Sequence, residues 1–339
     1  MQVACGRDAA DLAAFARRWG WQETETDWRR LLERDDIDAI DIATPTFLHA
    51  EMAIAAAEAG KHIFCEKPFA HTLAEGEAML AAAEKAGVVH YLNHNYRRCP
   101  AVLLAKKMRD EGELGEIYHW RGAYQQSWLV DSDHPLDWKL KKSTAAAGPL
   151  WDLGSHAVDL ARFLVGDFAE IDCRAKQFIP ERPLAEDPSR RGPVEVECAA
   201  LLSGEFQNGA LAGIETTRYA TGRRNRLTFE IYGSKGAITW DMEKMNRLRF
   251  YSEGDPEDRR GFRDILVTEP SHDYVGAWWP PGHIIGYEHA FVHAALDFLN
   301  ACGTGGSVEP DFRDGVEGLR VLEAAATSME SGKRVAVSI

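Results

Sequence analysis

The chain of 339 residues is longer than one hydrophobic core usually supports, so its length favours two domains. Forty-five per cent of the residues are hydrophobic and 27% are charged, as in ordinary folded proteins, and 53 acidic residues against 39 basic ones give a formal net charge of −14. This acidity argues against nucleic acid or an anionic membrane as a partner, because both require clustered Lys and Arg.

The sequence also argues against a membrane-spanning or exported chain. It contains no run of about 18 uncharged apolar residues, and its start, MQVACGRDAAD, has neither the basic nor the apolar segment of a secretory signal. The six cysteines are scattered singly, without CxxC spacing or a neighbouring His pair, so buried reduced thiols are expected. We therefore expect a cytoplasmic protein with no metal site.

The first hundred residues alternate short apolar runs with Ala-rich helical patterns, which predicts βαβ units and a parallel sheet. Asp8 is the expected N-cap of the first helix and Gly20 its stop, and Thr26 is expected to cap the second helix. In chain order the predicted elements are the strand MQVAC, the helices DAADLAAFARRWG and TDWRRLLERDD, the strand IDAIDIAT, the helix TFLHAEMAIAAAEAG, the strand KHIFCE, the helix LAEGEAMLAAAEKAG and the strand VVHYLN.

After about Arg98 the pattern changes to spaced strands joined by turns such as QNG and YGSKG, which indicates a large, mostly antiparallel open sheet. We therefore predict an α/β protein with a parallel-sheet domain over residues 1–97 and a second α/β domain over residues 98–339. The Pro-rich, charged stretches PERPLAEDPSRRGP and EGDPEDRRGFRD are expected to be solvated loops. The predicted elements are the helix PAVLLAKKMRDEG, the strand GEIYHWRGAYQQSW, the helix SHAVDLARFLVG, the strands AEIDCRAKQFI, VEVECAALLSGEF, GALAGIETTRY, NRLTFEIYGS, GAITW and RLRFYS, and the helices YEHAFVHAALDFLNA and FRDGVEGLRVLEAAATSME.

Polar residues stand at the carboxyl ends of three parallel strands, where open sheets of this kind bind ligands. Pro68 holds Lys67 extended, so the ammonium group is expected to project from the strand end. The helix that follows Thr44 and Pro45 begins with free N–H groups that suit an anion. Taken singly, each group is more simply explained as a solvated loop, and Glu-Lys-Pro alone is a weak motif. The three groups are Gly6, Arg7 and Asp8; Thr44, Pro45 and His49; and Glu66, Lys67 and Pro68.

The segment AAAGPLWDLGSHAVDLARFL carries the stronger chemical signal. If its helix begins near Asp152, the spacing places Asp152 and His156 on one face. A histidine beside a carboxylate is a proton acceptor near neutral pH, and such a group contributes roughly 10²–10⁴ in rate. Asp159 is the alternative carboxylate partner, and a capped helix with a structural histidine is the alternative without catalysis.

Two of the ten tryptophans are candidate substrate contacts. Most are expected to lie in the sheet core or at a subunit interface. Trp128 and Trp138 differ because they precede the aspartate–histidine segment and have Gln126 and Lys139 beside them. Aromatic faces stack on the C–H faces of sugar or cyclitol rings.

Together these segments resemble the Gfo/Idh/MocA oxidoreductase family (glucose-fructose oxidoreductase, inositol dehydrogenase and relatives) over nearly the whole chain. The middle segment is most similar to the inositol and levoglucosan (anhydrosugar) dehydrogenases. The resemblance implies a Rossmann domain followed by an α/β domain whose open sheet lines the substrate cleft and builds homodimers or homotetramers. It also implies a nicotinamide cofactor and the reversible oxidation of a ring secondary alcohol to a ketone. The motifs that carry it are the Thr44-Pro45 turn, CEKP, NYRRCPAV, LDWKLKKSTAAAGPLWDLGSHAVDL and AWWPPGHIIGYEHAF.

The resemblance also implies roles for individual residues. Lys67 anchors the substrate hydroxyl and the cofactor, Asp152 holds the substrate and orients the histidine, and His156 is the general base. A cis peptide is expected before Pro68. The residues expected to bind the cofactor are Gly6, Arg7, Thr44, Pro45, His49, Glu66, Lys67, Asn95 and Trp138. Those expected to bind substrate are Lys67, Gln126, Trp128, Asp152 and His156.

The sequence departs from the family pattern in two places. The first strand and its GxGxxG turn are absent, which amounts to one βα unit of about 30 or more residues. We expect a truncated reading frame rather than a protein deficient in cofactor binding, because the other site residues are present. Gly6 and Arg7 stand where NAD-specific proteins carry an acidic residue, and Arg7 suits adenine or a 2′-phosphate. NAD is the expected cofactor, and NADP is the alternative.

Two other function classes are open at this point. An NAD-dependent glycosidase would oxidise its substrate transiently and retain its cofactor without net reduction. A non-catalytic sugar- or nucleotide-binding relative is the other, although the joint presence of Lys67, Asp152 and His156 argues against it.

Overall fold

Residues 2–338 are described by the computed structural model of the chain, and their first part contains five short strands with helices between them. Apolar runs followed by Ala-rich helices account for this alternation, as the sequence predicts. The elements are β1 (Val3–Cys5), α1 (Ala9–Trp19), β2 (Glu23–Glu25), α2 (Arg29–Leu32), β3 (Ala39–Ile42), α3 (His49–Glu58), β4 (His62–Cys65), α4 (Leu73–Ala86) and β5 (His90–Leu92).

Helix ends show where local sequence decides the structure. The Asp8 carboxylate accepts the free N–H groups at the start of α1, and Gly20 ends the helix with a φ of 73°, so both predictions are confirmed. The predicted cap at Thr26 is wrong, because α2 begins later and has no side-chain cap. Glu25 instead accepts the N–H groups of Thr26 and Asp27, at 2.7 and 3.0 Å, at the end of the unpredicted strand β2.

The strands of this part pair in parallel, as predicted, but they form two sheets. Strands β1 and β2 form one pair, and β3, β4 and β5 form a three-stranded sheet. No backbone ladder joins the two sheets within residues 2–338. In the three-stranded sheet Ile42, Cys65 and Leu92 lie side by side, so the segments that follow the three strands leave from one edge.

The rest of the chain builds a second α/β unit around a nine-stranded sheet. Its helices and strands are α5 (Pro100–Asp110), β6 (Ile117–Gln125), α6 (Lys142–Ala145), α7 (Pro149–Asp152), α8 (Gly154–Leu164), β7 (Phe168–Lys176), β8 (Glu181–Pro183), β9 (Arg191–Pro193), β10 (Ala199–Phe206), β11 (Leu211–Thr217), β12 (Arg226–Gly233), β13 (Gly236–Asp241), β14 (Arg247–Ser252), β15 (Arg263–Leu266), α9 (Tyr287–Thr304), α10 (Phe312–Ser331) and β16 (Val335–Ala336).

The strand order of the large sheet is β15-β14-β13-β12-β6-β11-β10-β7-β16. Every neighbouring pair is antiparallel except β6 and β11, which are parallel, so the predicted mostly antiparallel sheet is confirmed. The two stretches predicted to be loops are partly ordered. One forms the hairpin β8–β9 around the fully buried Arg182, and the other contributes the edge strand β15.

The large sheet has one covered face and one open face. Alternate residues of β10 and β11, such as Leu202 and Ile214, pack under the helices, while Leu201 and Leu211 on the other face are 58% and 59% exposed. The period-2 alternation of a strand accounts for this division. No helix within residues 2–338 has the length and apolar character needed to cross a membrane.

The last two helices connect the two parts of the fold. Phe298 of α9 packs on the three-stranded sheet through Phe64 and Tyr91. Helix α10 packs against α4 on one side and against α8 and β7 on the other. Phe69, two residues beyond Lys67, lies against Gly315 of α10, where a Cβ would stand 2.5 Å from the phenyl ring.

This close approach generates a stability prediction. Gly315→Ala should lower the free energy of unfolding by about 1–3 kcal/mol, because the added methyl overpacks the Phe69 ring. Gly318→Ala in the same helix meets no atom within 4 Å and should raise it by up to about 1 kcal/mol through helix propensity. Urea unfolding of both variants measures the difference, and equal effects would contradict the packing explanation.

Candidate active site

Lys67 and Asp152 form the central contact of the site. The Lys67 ammonium Nζ lies 2.9 Å from Asp152 Oδ1 and 3.3 Å from the main-chain oxygen of Asp152. The Lys67–Pro68 peptide bond is cis, as predicted. The two side chains are 20% and 21% exposed, so the pair is partly open to solvent and not enclosed in the core. The space beside the pair, between the two parts of the chain, is called the cleft below. The pair links the end of β4, in the three-stranded sheet, to α7 in the second part of the chain.

The segments that follow β3 and β4 are held by buried side chains. His49 is fully buried, with Nε2 2.8 Å from the oxygen of Thr44 and Nδ1 3.2 Å from the oxygen of Phe69. The Trp151 indole donates to the oxygen of Ala70 at 3.3 Å. We expected His49 to bind the cofactor. Both nitrogens of its ring lie against main-chain oxygens, so the ring joins the loop after β3 to the loop after β4.

The start of helix α7, which carries Asp152, is fixed by a close contact that only a glycine allows. The Glu197 carboxylate accepts the N–H groups of Gly148 and Leu150 at 3.0 and 2.9 Å. A Cβ at Gly148 would lie 2.2 Å from the main-chain oxygen of Glu197, so only glycine fits this approach. The predicted single helix is divided at Leu153, with Asp152 ending α7 and the histidine segment beginning α8.

Three cations surround the Asp152 carboxylate. Besides Lys67, Arg218 Nη2 lies 2.8 Å from Oδ2, and Lys139 Nζ lies 3.9 Å from the same oxygen. Burial favours the neutral acid, but these positive charges outweigh it and hold the pKa of Asp152 well below its usual range. Burial likewise opposes the charge on Lys67, but Asp152 outweighs it and raises the pKa of Lys67. Both groups are therefore ionised at neutral pH.

His156 lies in the first turn of α8 and is almost completely buried among aromatic rings. Its ring centroid is 4.7 Å from that of Tyr96, 5.7 Å from Tyr124 and 5.6 Å from His94. Burial lowers the pKa of His156 well below its ordinary value, the positive charge of Lys67 lowers it further, and Asp152 opposes the shift. The ring is therefore neutral at neutral pH.

The carboxylate partners predicted for His156 are engaged elsewhere. Both oxygens of Asp152 are bonded to cations, so Asp152 acts on the histidine through its charge and through Lys67. Asp159, the alternative partner, pairs with Arg97 at 2.6 Å. Arg97 also pairs with Asp314 at 3.0 Å, so Asp159 belongs to a buried ion cluster behind the site.

A chain of hydrogen bonds places Gln126 and Trp128 at the site. The Tyr124 hydroxyl is 2.8 Å from that of Tyr96 and donates to Asn225 Oδ1 at 2.9 Å. Gln126 Nε2 donates to the same Asn225 oxygen at 2.7 Å, and the Trp128 indole donates to Gln126 Oε1 at 2.9 Å. These polar groups run in sequence from the aromatic wall around His156 to Trp128.

The tryptophans predicted to contact substrate lie beside Lys139. Its ammonium is 5.8 Å from the ring of Trp128 and 5.6 Å from the ring of Trp138. Trp138 is 42% exposed, so it lies further out in the cleft than Trp128, which is half-buried. Lys139 also reaches Asp152, so one side chain connects both aromatic rings to the central ion pair.

The loop that carries Trp128 is anchored by Arg182. This guanidinium donates to the main-chain oxygens of Leu129, Asp131 and His134 at 2.5, 2.7 and 3.2 Å, and to the Tyr219 hydroxyl at 3.0 Å. The sequence places Arg182 in a charged stretch that reads as solvated, and its burial was not predicted.

The ends of β4 and β5 present polar groups that suit a dinucleotide. Glu66 accepts from Asn93 Nδ2 at 2.5 Å and from the N–H of Lys67 at 3.2 Å. Asn95 Nδ2 and His94 Nδ1 are buried without a hydrogen-bond partner within residues 2–338. Unsatisfied buried polar atoms of this kind suit the amide and hydroxyl groups of a nicotinamide cofactor, so the residues present fit such a group.

The other residues expected to bind cofactor are placed differently. Thr44 and Pro45 are half-buried at the end of β3, on the same sheet edge as Lys67. Gly6 donates its N–H to the oxygen of Glu25 at 3.2 Å, and Arg7 is exposed. Both follow β1 in the two-stranded sheet, so the structure does not join them to the group around Lys67.

Arg218 and Tyr287 are among the site residues that the sequence analysis missed. Arg218 stands at the end of the predicted strand GALAGIETTRY, but an arginine at a strand end has no specific signal. Tyr287 begins α9, and its ring is 6.1 Å from that of Tyr96. Burial raises the pKa of Tyr287, while its hydrogen bond with Tyr96 and the charge of Lys67 oppose that shift.

A crevice at the ends of parallel strands, facing a lysine, an ionised aspartate and a neutral histidine, is typical of two-domain nucleotide-dependent oxidoreductases. Residues 1–94 match the family model described as an oxidoreductase family with an NAD-binding Rossmann fold, and residues 102–239 match the GFO/IDH/MocA C-terminal domain. The chain therefore belongs to the Gfo/Idh/MocA family of NAD-binding oxidoreductases.

Named relatives resemble the chain over most of its length. A levoglucosan dehydrogenase of Pseudarthrobacter phenanthrenivorans is 43% identical over 330 residues, covering 93% of this chain and 84% of that protein. A crystal structure of an oxidoreductase domain protein from Kribbella flavida has a TM-score of 0.97 and 47% identity, covering 100% of this chain and 90% of that one. A levoglucosan dehydrogenase in complex with NADH and levoglucosan has a TM-score of 0.96 and 42% identity, with the same coverage.

The buried histidine beside the site generates a pH prediction. Burial lowers the pKa of His94 from 6.5 to about 4, so between these values the unfolded state binds a proton that the folded state does not. The free energy of unfolding should therefore fall as the pH is lowered from 6.5, with His94 contributing about 1.4 kcal/mol per pH unit.

His94→Asn should remove that part of the slope, and the exposed control His283→Asn should leave it unchanged. Urea unfolding between pH 6.5 and 4.5 measures the slopes. The same slope in His94→Asn and the unmodified chain would show that His94 does not titrate in this way.

Proposed function

We propose that the chain catalyses the reversible NAD-dependent oxidation of a ring secondary alcohol of a sugar, anhydrosugar or cyclitol to a ketone. The observation that carries the proposal is the 2.9 Å ion pair between Lys67 and Asp152, four residues before the buried His156 of α8. The lowered pKa of His156 and the raised pKa of Lys67 fit a neutral acceptor and a charged donor. Lys67 donates a hydrogen bond to the substrate oxygen, and His156 accepts the proton of the substrate hydroxyl. The levoglucosan dehydrogenase with 43% identity supports an anhydrosugar as the first substrate to test.

His156 acts as the general base. Its ring is neutral, so it accepts the proton of the substrate hydroxyl as the C–H bond breaks. A bound nicotinamide cofactor supplies the hydride chemistry of the step. In the reverse direction the protonated His156 returns the proton to the ketone oxygen.

Lys67 stabilises the substrate oxygen. Asp152 keeps Lys67 protonated, so Lys67 donates a hydrogen bond as negative charge develops on that oxygen. Asp152 itself is partly exposed and also offers an acceptor edge to the substrate. Fixing these groups before substrate binds lowers the barrier through alignment.

The substrate ring is held by the wall on the far side of the ion pair. Trp128 presents an aromatic face, and Gln126 presents an amide already oriented by Asn225. Sugar and cyclitol rings combine C–H faces with hydroxyl edges, so this pairing suits them. Trp138 stands at the rim of the cleft, beside the expected cofactor.

The cofactor contacts that we propose come from the edge of the three-stranded sheet and the loop facing it. Support comes from the unsatisfied donor of Asn95 and from the NADH in the structure of a levoglucosan dehydrogenase. NAD is preferred, and NADP is the alternative through Arg7. The residues are Gly6, Arg7, Thr44, Pro45, Glu66, Lys67, Asn95 and Trp138.

We also propose a domain boundary at residues 97/98 and a cytoplasmic homodimer or homotetramer. The change from parallel to antiparallel pairing supports the boundary.

The exposed Leu201 and Leu211 on the open sheet face support self-association, and the unpaired cysteines support a reducing compartment. Light scattering after size-exclusion chromatography tests assembly, and a monomer would contradict it.

A cofactor-reduction screen tests the function. The chain, with and without an N-terminal extension that supplies a GxGxxG turn, is mixed with NAD⁺ or NADP⁺ and with levoglucosan, glucose, xylose or myo-inositol. Substrate-dependent formation of reduced cofactor is expected, with NAD⁺ preferred. Bond cleavage without net reduction would support the glycosidase alternative, and binding of neither cofactor to either form, followed by fluorescence, would exclude a dehydrogenase.

The role of His156 gives a second prediction. His156→Asn should lower kcat/KM by roughly 10²–10⁴, because the proton acceptor is lost, while the affinity for NADH changes little. His119→Asn, on the open sheet face away from the site, is the matched control. Turnover in His156→Asn equal to that of the control would remove His156 from the mechanism.

A further inference from the structure

Arg218 is the most deeply buried member of the cation group around Asp152. Its side chain is 1% exposed, against 20% for Lys67 and 37% for Lys139. A group this enclosed does not touch a substrate in the cleft. Its effect on the reaction therefore has to pass through a neighbour that does reach the cleft.

The only carboxylate that Arg218 bonds within residues 2–338 is that of Asp152, through Nη2 at 2.8 Å. Its Nε and Nη1 atoms are buried without a hydrogen-bond partner in the same residues. The guanidinium plane also lies over the Trp128 ring, with Cζ 5.6 Å from the centroid. Nη2 is therefore the one side-chain nitrogen of Arg218 that has a hydrogen-bond partner within residues 2–338, and that partner is Oδ2 of Asp152.

The two carboxylate oxygens have separate partners. Oδ2 is held by Arg218 and Oδ1 by Lys67, so the orientation fixed on one side sets the position of the ammonium on the other. Lys139 is 3.9 Å from Oδ2 and is more exposed, so its charge stabilises the carboxylate but its contact does little to fix the carboxylate's orientation. His156 senses the carboxylate only through its charge.

The backbone explains how Arg218 reaches this position. Strands β6 and β11 are the one parallel pair in the large sheet within residues 2–338, with Gln125 opposite Thr217. Their carboxyl ends therefore leave from the same edge, which places Gln126 and Arg218 together at the cleft. Gln126 belongs to the proposed substrate wall, and Arg218 packs on the ring of Trp128 in the same wall.

We propose that Arg218 is a positioning residue, whose guanidinium keeps the Asp152 carboxylate ionised and oriented so that this carboxylate holds the Lys67 ammonium at the reacting oxygen. The proposal rests on the proposed function for the part that concerns catalysis. The relation between Arg218 and Asp152 stands on the contacts alone.

The first test is a double-mutant cycle of Arg218→Met and Asp152→Asn. Arg218→Met should lower kcat/KM by roughly 10²-fold, because a displacement of the ion pair of about 1 Å costs that much. In the Asp152→Asn background the same change should have little further effect, because the group through which Arg218 acts is already altered. Fully additive losses would overturn the proposal.

Arg223→Met is the matched control, since this exposed arginine lies five residues away and its ion pair with Glu243 is 3.8 Å long. Its activity should equal that of the unmodified chain. Arg218→Lys keeps the charge but not the planar donor, and should lose less activity than Arg218→Met. Circular dichroism establishes that each variant is folded, and if Arg218→Met is not, Arg218→Lys completes the cycle.

A second readout does not use activity. In protein labelled with [4-¹³C]aspartate, the Asp152 carboxyl signal, assigned with Asp152→Asn, should not titrate down to pH 4 in the unmodified chain. In Arg218→Met its midpoint should rise, since one of its cations is lost. An unchanged midpoint would overturn the proposal. A raised midpoint together with no dehydrogenase activity in the unmodified chain would instead overturn the proposed function and leave the Arg218–Asp152 relation standing.

Discussion

The ion pair between Lys67 and Asp152 is the contact on which the rest of the site depends. It joins a strand end of the first sheet to a helix of the second part of the chain. Burial works against the charge on both groups, and each opposes that effect in the other, with Arg218 and Lys139 adding to the stabilisation of the Asp152 carboxylate. Contacts on each side support the pair. His49 orders the loop that follows Lys67, and Glu197 orders the start of the helix that carries Asp152.

The protonation state of His156 depends first on its burial and then on this pair. Burial and the positive charge of Lys67 both lower the pKa of His156, so the ring is in the neutral form that can accept a proton, although no carboxylate bonds to it. This arrangement differs from a hydrogen-bonded histidine–carboxylate dyad, where the carboxylate would stabilise the protonated ring. Here Asp152 keeps Lys67 protonated, while burial first and the charge of Lys67 second keep His156 neutral. Asp152 opposes the neutral state of the ring, so the two groups that meet the substrate oxygen differ in protonation because of burial and the lysine charge.

The sequence predicts features that depend on local chemistry. Asp8 caps a helix because its side chain reaches free N–H groups, and Lys67 projects because proline restricts it. Arg218 could not be predicted, because its position depends on the parallel pairing of β6 with β11 between strands almost a hundred residues apart. The sequence predicts that Arg182 is a solvated charge. In the folded hairpin its guanidinium instead donates to main-chain oxygens, which take the place of water. Sequence patterns report local preference, whereas these residues are placed by long-range pairing.

The packing of Phe69 on Gly315 has a consequence for the spacing between the two parts of the fold. Helix α10 touches both parts, and this glycine lets a ring from the first part lie directly on it. A side chain at position 315 would meet that ring and hold the loop that carries Phe69 further from the helix. Lys67 is two residues from Phe69 in the same loop, so a glycine of the last helix helps to set the distance across the ion pair.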